Sequence, residues 1–257
     1  MPQDLSIDWS QVAFGRGKNR RKTVTFGKFN KSHDMYDDEF YIRELSIVDA
    51  GLGSGLWDAA IIFSRFIYEN SHIFENKTII ELGCGVGLCS IVAARFGSSV
   101  IATDYMQSIL DNLNYNIQLN DYTDKDLPPL IKGRPDVASI MMTRLLDWTC
   151  PEEVCHSLPK PDIIIGSELT YSTLNIHDLA KTLDLLAKPT TVFYEILSTD
   201  REGVGEFLDV IKSRGWTVSI NPVPERYMGN FKTKQRSEDY MFYTFRPSSE
   251  CIYPDLK

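Results

Sequence analysis

No stretch of the 257-residue sequence approaches the roughly 20 consecutive apolar residues that cross a bilayer. The opening segment MPQDLSIDWSQ lacks the apolar run of a secretion signal. The expectation is therefore a cytoplasmic protein with no membrane partner, with nuclear import left open. Cysteine is sparse. Cys84, Cys89, Cys150, Cys155 and Cys251 are odd in number, irregularly spaced and without a CxxC pair, which is no disulfide framework. Cys84 and Cys89 lie inside apolar runs and read as small core residues. The histidines His33, His72, His156 and His177 are scattered, so no metal site is expected.

Positive charge is also short. A net charge of −8 argues against nucleic acid as a partner held over a broad surface. Residues 9–33 are the exception, with no acidic side chain and the basic run GRGKNRRK at 15–22. That run is either an import signal or contact for an anionic partner, or a solvated arm; the arm is the simpler reading. The acidic cluster Asp34, Asp37, Asp38 and Glu39 is either a dock for a basic surface or a solvated loop, and again the bland reading is simpler. Internal repeats and low-complexity segments are absent.

What is present is an ordinary globular composition, 43% hydrophobic and 24% charged. Residues 34–47 suggest a strand through Phe40, Ile42 and Leu45. The turn-rich GLGSG at 51–55 then precedes a helical pattern over 56–71. From there buried strands alternate with helices. Strand patterns fall at 78–82, 99–104, 137–148, 161–168 and 190–197, and helical ones at 87–97, 108–120, 175–188 and 203–215. Such alternation means βαβ units and a mostly parallel sheet with helices on both faces. Two late strands, 216–220 and 239–245, have only a polar loop between them and predict an antiparallel pairing at the end of the sheet. The organisation expected is an N-terminal extension over 1–50, with the basic arm and one strand, followed by one domain over 51–257.

The motif that carries chemistry is ELGCGVG at 81–87. Gly83, Gly85 and Gly87 follow a hydrophobic strand and open a helix, where glycine permits positive φ and close ligand approach. Dinucleotide sites space their glycines GxGxxG, with the helix start facing a pyrophosphate. Here the spacing is GxGxG, Glu81 precedes it, and the next strand ends in Asp104. A carboxylate at Asp104 suits both ribose hydroxyls. Glu81 would repel a pyrophosphate but suit the ammonium end of an amino acid. The set favours a nucleoside without phosphates that carries an amino-acid moiety; the bland alternative is a tight strand–helix turn with no ligand.

ELGCGVG, ATDY at 102–105, LDW at 146–148 and SELTY at 167–171 together resemble the seven-β-strand methyltransferases. More narrowly, LWDAA at 56–60 and ELTY at 168–171 are similar to the protein-lysine methyltransferase branch often labelled nicotinamide-methyltransferase-like. The resemblance covers about residues 50–245. It implies a Rossmann-like seven-stranded sheet with an antiparallel last strand, and S-adenosylmethionine as cofactor. It places Trp57, Gly83, Cys84, Gly85, Asp104, Trp148 and Ser167 around that cofactor, with Trp148 near the adenine, and the turn's own chemistry adds Glu81 and Gly87 to the expected set. Glu168 and Tyr171 would border the site of methyl transfer, Glu168 positioning a target amine and Tyr171 forming an aromatic wall. The run Phe193, Tyr194, Glu195 is either the other wall or ordinary strand packing. The segment 222–238 matches no pattern and is expected near the substrate.

The resemblance implies methyl transfer to a lysine of a folded protein, a translation elongation factor being the first candidate; a monomer is the expected state. Three other readings stand beside it. A small-molecule N-methyltransferase would need a lid, and no helical lid is evident in 1–50. A methyltransferase of RNA draws weak support from the basic arm, but SELTY is not an N/D-P-P-Y-type motif. A non-enzymatic module would have no need of Gly83, Gly85 and Asp104.

Overall fold

The computed structural model describes residues 20–30, 35–121, 137–170, 172–228 and 239–248. Two strands come first, β1 (Arg20–Asn30) and β2 (Met35–Glu44), followed by α1 (Ile47–Ala50), a 3-10 turn (Gly51–Ser54), α2 (Asp58–Glu69) and α3 (Ser71–Phe74). The alternating body is β3 (Thr78–Glu81), α4 (Leu88–Ala94), β4 (Ser99–Asp104), α5 (Gln107–Leu119), α6 (Val137–Ile140), β5 (Met141–Leu145), α7 (Glu152–Ser157), β6 (Ile163–Ser167), α8 (Ile176–Leu186), β7 (Val192–Ser198), α9 (Val204–Ser213), β8 (Trp216–Pro222) and β9 (Tyr240–Pro247).

The main sheet has seven strands in the order β5-β4-β3-β6-β7-β9-β8. The pairs among β3 to β7 are parallel, and β9 inserts antiparallel between β7 and β8. The expected α/β fold, with its antiparallel last strand, is what forms. Period-2 alternation sends the two faces of the strands into separate cores. One holds Ile79, Val100 and Ile196 with α2 and α4; the other holds Ile80, Ile164 and Phe193 with α8 and α9. Chain order reverses at β3, which pairs with β4 on one side and β6 on the other. A sheet of this kind leaves its ligand crevice at the carboxyl ends of the strands flanking that reversal.

The basic arm is a correction. Residues 15–19 of the arm lie outside the described residues; residues 20–30 are not a solvated arm but a strand, paired antiparallel with β2 from Arg20↔Glu44 onward. Val24 and Phe26 are buried with Phe40 and Ile42 in the first core. Polar Lys22, Thr23 and Thr25 interleave these residues, so the run reads as charged although one face is apolar. The acidic cluster is also changed: Asp38 is fully buried, 3.9 Å from the Arg95 guanidinium, and cannot dock a partner. Asp34 lies outside the described residues.

The hairpin fixes the approach to the crevice. Asn116 on α5 and Asn120 at its C-terminal cap, one turn apart, accept from the Arg43 and Tyr41 N–H groups at 2.8 Å and donate back to the same residues' carbonyls. They cover the exposed edge of β2 in the way a neighbouring strand would. At the end of β2, Glu44 pairs with Lys22 at 2.7 Å and accepts the Leu56 N–H at 2.7 Å. The Leu45 N–H donates to Ser54 O at 2.9 Å. The loop from Gly51 to Trp57 is thereby pinned over the sheet.

Candidate active site

A cavity of about 440 Å³ opens at the carboxyl ends of β3, β4 and β6. Of the residues expected at the cofactor, Trp57, Gly83, Cys84, Gly85, Asp104, Trp148 and Ser167 line it, as does Glu168 from the acceptor side. Tyr171 lies outside the described residues. The loop from Leu52 to Gly55, with Met106 and Arg201, supplies wall that the sequence reading did not assign. GLGSG announced a turn there, but not what it faces. Nothing local in the sequence marks Arg201.

The glycine turn is built for close approach. Gly83 and Gly85 take φ of +57° and +51°, a region that side chains disfavour. A Cβ on Gly85 would lie 3.3 Å from Gly53 O, so the turn and the overlying loop touch through backbone. Asp104 ends β4 half turned into the turn itself. One carboxylate oxygen accepts from Gly85 N–H and the other from Met106 N–H, each at 3.2 Å. Burial pushes its pKa above the usual aspartate range, and those backbone donors, with that of Tyr105, work against the rise. Asp104 lines the cavity, and a carboxylate can accept further bonds beyond these two, as paired hydroxyls would require.

Glu81 and Gly87 are corrections. Glu81 does not line the cavity. Its carboxyl is buried and turns to α4, accepting from the Ser90 N–H at 3.0 Å and from the Ser90 hydroxyl. Those donors at the start of a helix are the closest partners for an acid on β3. Burial pushes it up to about 7 against the lowering effect of Ser90. Gly87 also faces away: a Cβ there would lie 2.1 Å from Leu113 Cδ1, so this glycine serves helix packing. The run at 193–195 forms no wall either. Phe193 and Glu195 are fully buried, and none of the three lines the cavity. Within 222–238, Val223, Tyr227 and Met228 are core residues, and Arg65 donates to Tyr227 O at 2.5 Å; this stretch braces α2. Residues 229–238 lie outside the described residues.

Glu168 sits where the cavity meets a second hollow, of about 810 Å³, whose wall includes Asp58, Ser198, Asp200, Glu202 and Asp239. Trp57, Glu168 and Arg201 line both. The Glu168 backbone is left-handed, φ +58°. For a non-glycine residue this costs about 1–3 kcal/mol and tends to persist where function holds it. Its Oε1 accepts the Ser198 N–H at 2.9 Å, and its Oε2 pairs with the Arg201 guanidinium.

The cradle fits a nucleoside that carries an amino acid. It has left-handed glycines at the floor, a carboxylate with free lone pairs at one end, and Trp148 and Trp57 as aromatic wall. A volume of a few hundred Å³ is ordinary for a small-molecule site. Residues 37–214 match a family described as lysine methyltransferase. Protein N-lysine methyltransferase METTL21A of Mus musculus is 28% identical over 228 residues, 88% of this chain and 94% of that protein. Protein-lysine methyltransferase METTL21E of Bos taurus is 28% identical over 196 residues, 76% of this chain but 64% of that protein, so the match spans just under two thirds of the bovine relative. A TehB-like SAM-dependent methyltransferase from Corynebacterium glutamicum shares the fold, with a TM-score of 0.52 and 12% identity over 77% of this chain and 92% of that one. With its seven-stranded sheet and glycine cradle, the chain belongs to the lysine methyltransferase family, whose cofactor is S-adenosylmethionine.

Proposed function

We propose that this chain methylates a lysine side chain of a folded protein, with a translation elongation factor as first candidate, and that it does so as a cytoplasmic monomer. The observation that carries the substrate class is the junction of the two hollows. The cofactor cavity opens through Trp57 and Glu168 onto a wall that contains Asp58, Asp200, Glu202 and Asp239. An open acidic approach suits a basic side chain presented by a large partner. The elongation-factor assignment rests on family resemblance.

When bound, S-adenosylmethionine supplies a methyl group on a sulfonium for in-line displacement. The chain's own residues do the rest. Gly83 and Gly85 admit the ligand against backbone, and Asp104 accepts its hydroxyls. Leu52, Val86, Leu146 and Leu169 give the cavity apolar wall. A lysine ammonium, with a reference value of about 10.4, must lose a proton before it can attack, and desolvation among apolar groups favours that loss. Glu168 draws the ammonium in, but a lone carboxylate would also hold the proton on it. Pairing with Arg201 offsets that charge, so Glu168 can orient the amine without locking it in the protonated form. Alignment of this kind supplies several kcal/mol, up to about 7–11, of a barrier reduction.

The test is to incubate the protein with radiolabelled S-adenosylmethionine and a lysate from cells that lack it. A discrete labelled protein band that yields methyl-lysine on hydrolysis, and is lost in Asp104→Ala, is the expected result. Label confined to RNA or small molecules would overturn the reading.

A further inference from the structure

β7 sends Phe193, Glu195 and Leu197 to one face, and its two apolar members are core residues there. Glu195 is as deeply buried as they are. It stands in register between Gly166 of β6 and Tyr243 of β9. Its Oε1 accepts the Leu169 N–H at 3.3 Å, while its Oε2 has no hydrogen-bond partner among the described residues. A buried carboxyl with an orphaned oxygen is costly, and far more so as an anion than as the neutral acid.

Leu169 is the point where the two halves of the site meet. A Cβ on Gly166 would lie 2.4 Å from Leu169 Cδ1, and one on Gly83 would lie 2.9 Å from its Cδ2. The leucine is thus a wedge between the cofactor turn and the end of β6. The adjacent Glu168 N–H donates to Ile196 O at 3.0 Å, so consecutive N–H groups of this strained corner are both held by β7.

We propose that Glu195, as a neutral acid, is a positioning residue that holds Leu169 and through it both the Gly83 turn and Glu168. Its effect on turnover rests on the proposed role of Glu168; its effect on cofactor binding does not. Burial pushes the Glu195 carboxyl up to about 8, the Leu169 N–H lowers it, and the like charge of Glu168 raises it. Tyr243 is its titratable neighbour across the strand pair. Glu168 is itself paired with Arg201. Of the titratable side chains on α8 and α9, which cover this face, Asp184 alone is buried among the described residues, and Arg214 and Trp216 occupy it. Nothing among these groups compensates a negative charge on Glu195. Ionisation would keep the Leu169 N–H as a donor but leave the charge otherwise unsolvated, and water drawn in to solvate it would displace Leu169 and loosen the wedge.

Calorimetric titration of S-adenosylhomocysteine from pH 6.5 to 9.5 tests this. The wild-type affinity falls by about tenfold as pH passes through the Glu195 transition, a coupling equivalent to one unit of displaced acidity. Glu195→Gln keeps the shape and the acceptor oxygen but cannot ionise, so its profile lacks this fall. Glu81 titrates in both proteins and cancels in the difference. Glu195→Leu, which removes the acceptor, binds more weakly at every pH while circular dichroism stays native. A wild-type profile without the fall, or a Gln variant that retains it, overturns the proposal. If the binding profiles behave as stated but Glu168→Gln turns over normally, it is the amine-positioning role that fails and not this one.

Discussion

Glu168 and Arg201 form an ion pair across the opening between the cofactor cavity and the acidic hollow, with Glu168 also fixed by the Ser198 N–H at 2.9 Å. The carboxylate is thus already oriented and partly neutralised before any acceptor arrives. Glu168→Gln keeps the volume and the bond from Ser198 but discards the charge. Turnover should fall by about 10- to 100-fold, the range for a lost charge-assisted contact to a reacting group. S-adenosylhomocysteine affinity, read by calorimetry, should change by less than about twofold, because Asp104 and the glycines carry that binding. Loss of both together would place Glu168 on the cofactor instead.

Arg201 makes a sharper prediction through pH. In Arg201→Met the Glu168 charge is uncompensated, and a bare carboxylate favours the ammonium form of a nearby lysine. The acid limb of the turnover profile should move to higher pH by about one unit. Arg201→Lys should restore most of it. A purely structural Arg201 would lower the rate at all pH values and leave the limb in place.

Asp104 couples the glycine turn to the start of α5 through Gly85 and Met106. Asp104→Asn preserves the shape but weakens every bond the group accepts and forces one nitrogen against a donor. Affinity for S-adenosylhomocysteine should fall by about tenfold to a hundredfold, the worth of hydrogen bonds to a charged acceptor. Titration of the variant against wild type at one pH checks it.

The parts of this site that were legible in the sequence are those that local rules dictate. A strand, a GxGxG turn and a helix can sit together in few ways, so Gly83, Gly85 and Asp104 were readable from spacing. Trp57, Trp148 and Ser167 were reached only through resemblance. What escaped depends on three dimensions. Arg201 lies on a loop 33 positions from Glu168 and carries no motif. The direction of Glu81 is set by which face of β3 meets α4. The wedge at Leu169 exists because Gly83 and Gly166 approach it from two strands that adjoin only in the folded sheet. The hairpin strand β1 was hidden because its inward residues alternate with lysine and threonine.

Gly87 looks like a cofactor glycine in sequence and is a packing glycine in the fold. Its φ is +84°, and a Cβ would strike Leu113, which is fully buried. Gly87→Ala should cost about 1–3 kcal/mol from overpacking, with about 1 more from the left-handed backbone. At about 2–4 °C per kcal/mol for a chain of this size, calorimetry should record a clear loss of thermal stability. Affinity for S-adenosylhomocysteine at 15 °C, where the fold is intact, should remain within about threefold of wild type.

The two buried acids set how stability responds to pH. Glu81 is pushed up to about 7 and Glu195 up to about 8, both chiefly by burial, from an unfolded value near 4.5. The folded chain therefore binds more protons than the unfolded chain between those limits, and stability falls as pH rises. The contribution of each acid is full below about 4.5 and is lost as pH climbs through its folded value. Asp162 acts oppositely: its carboxyl is held low by Lys188 and the Thr78 N–H, so its share is present above the ordinary aspartate range and disappears in acid. Thermal unfolding of the wild type should accordingly weaken from pH 6 to pH 9. Glu195→Gln removes one proton's share of that slope, including all of it above about pH 7, and should unfold at a higher temperature than wild type at pH 9, with the gap closing toward pH 5. Equal slopes in the two proteins would mean that Glu195 is already solvated or paired when folded, and that the strain assigned to its orphaned oxygen is not there.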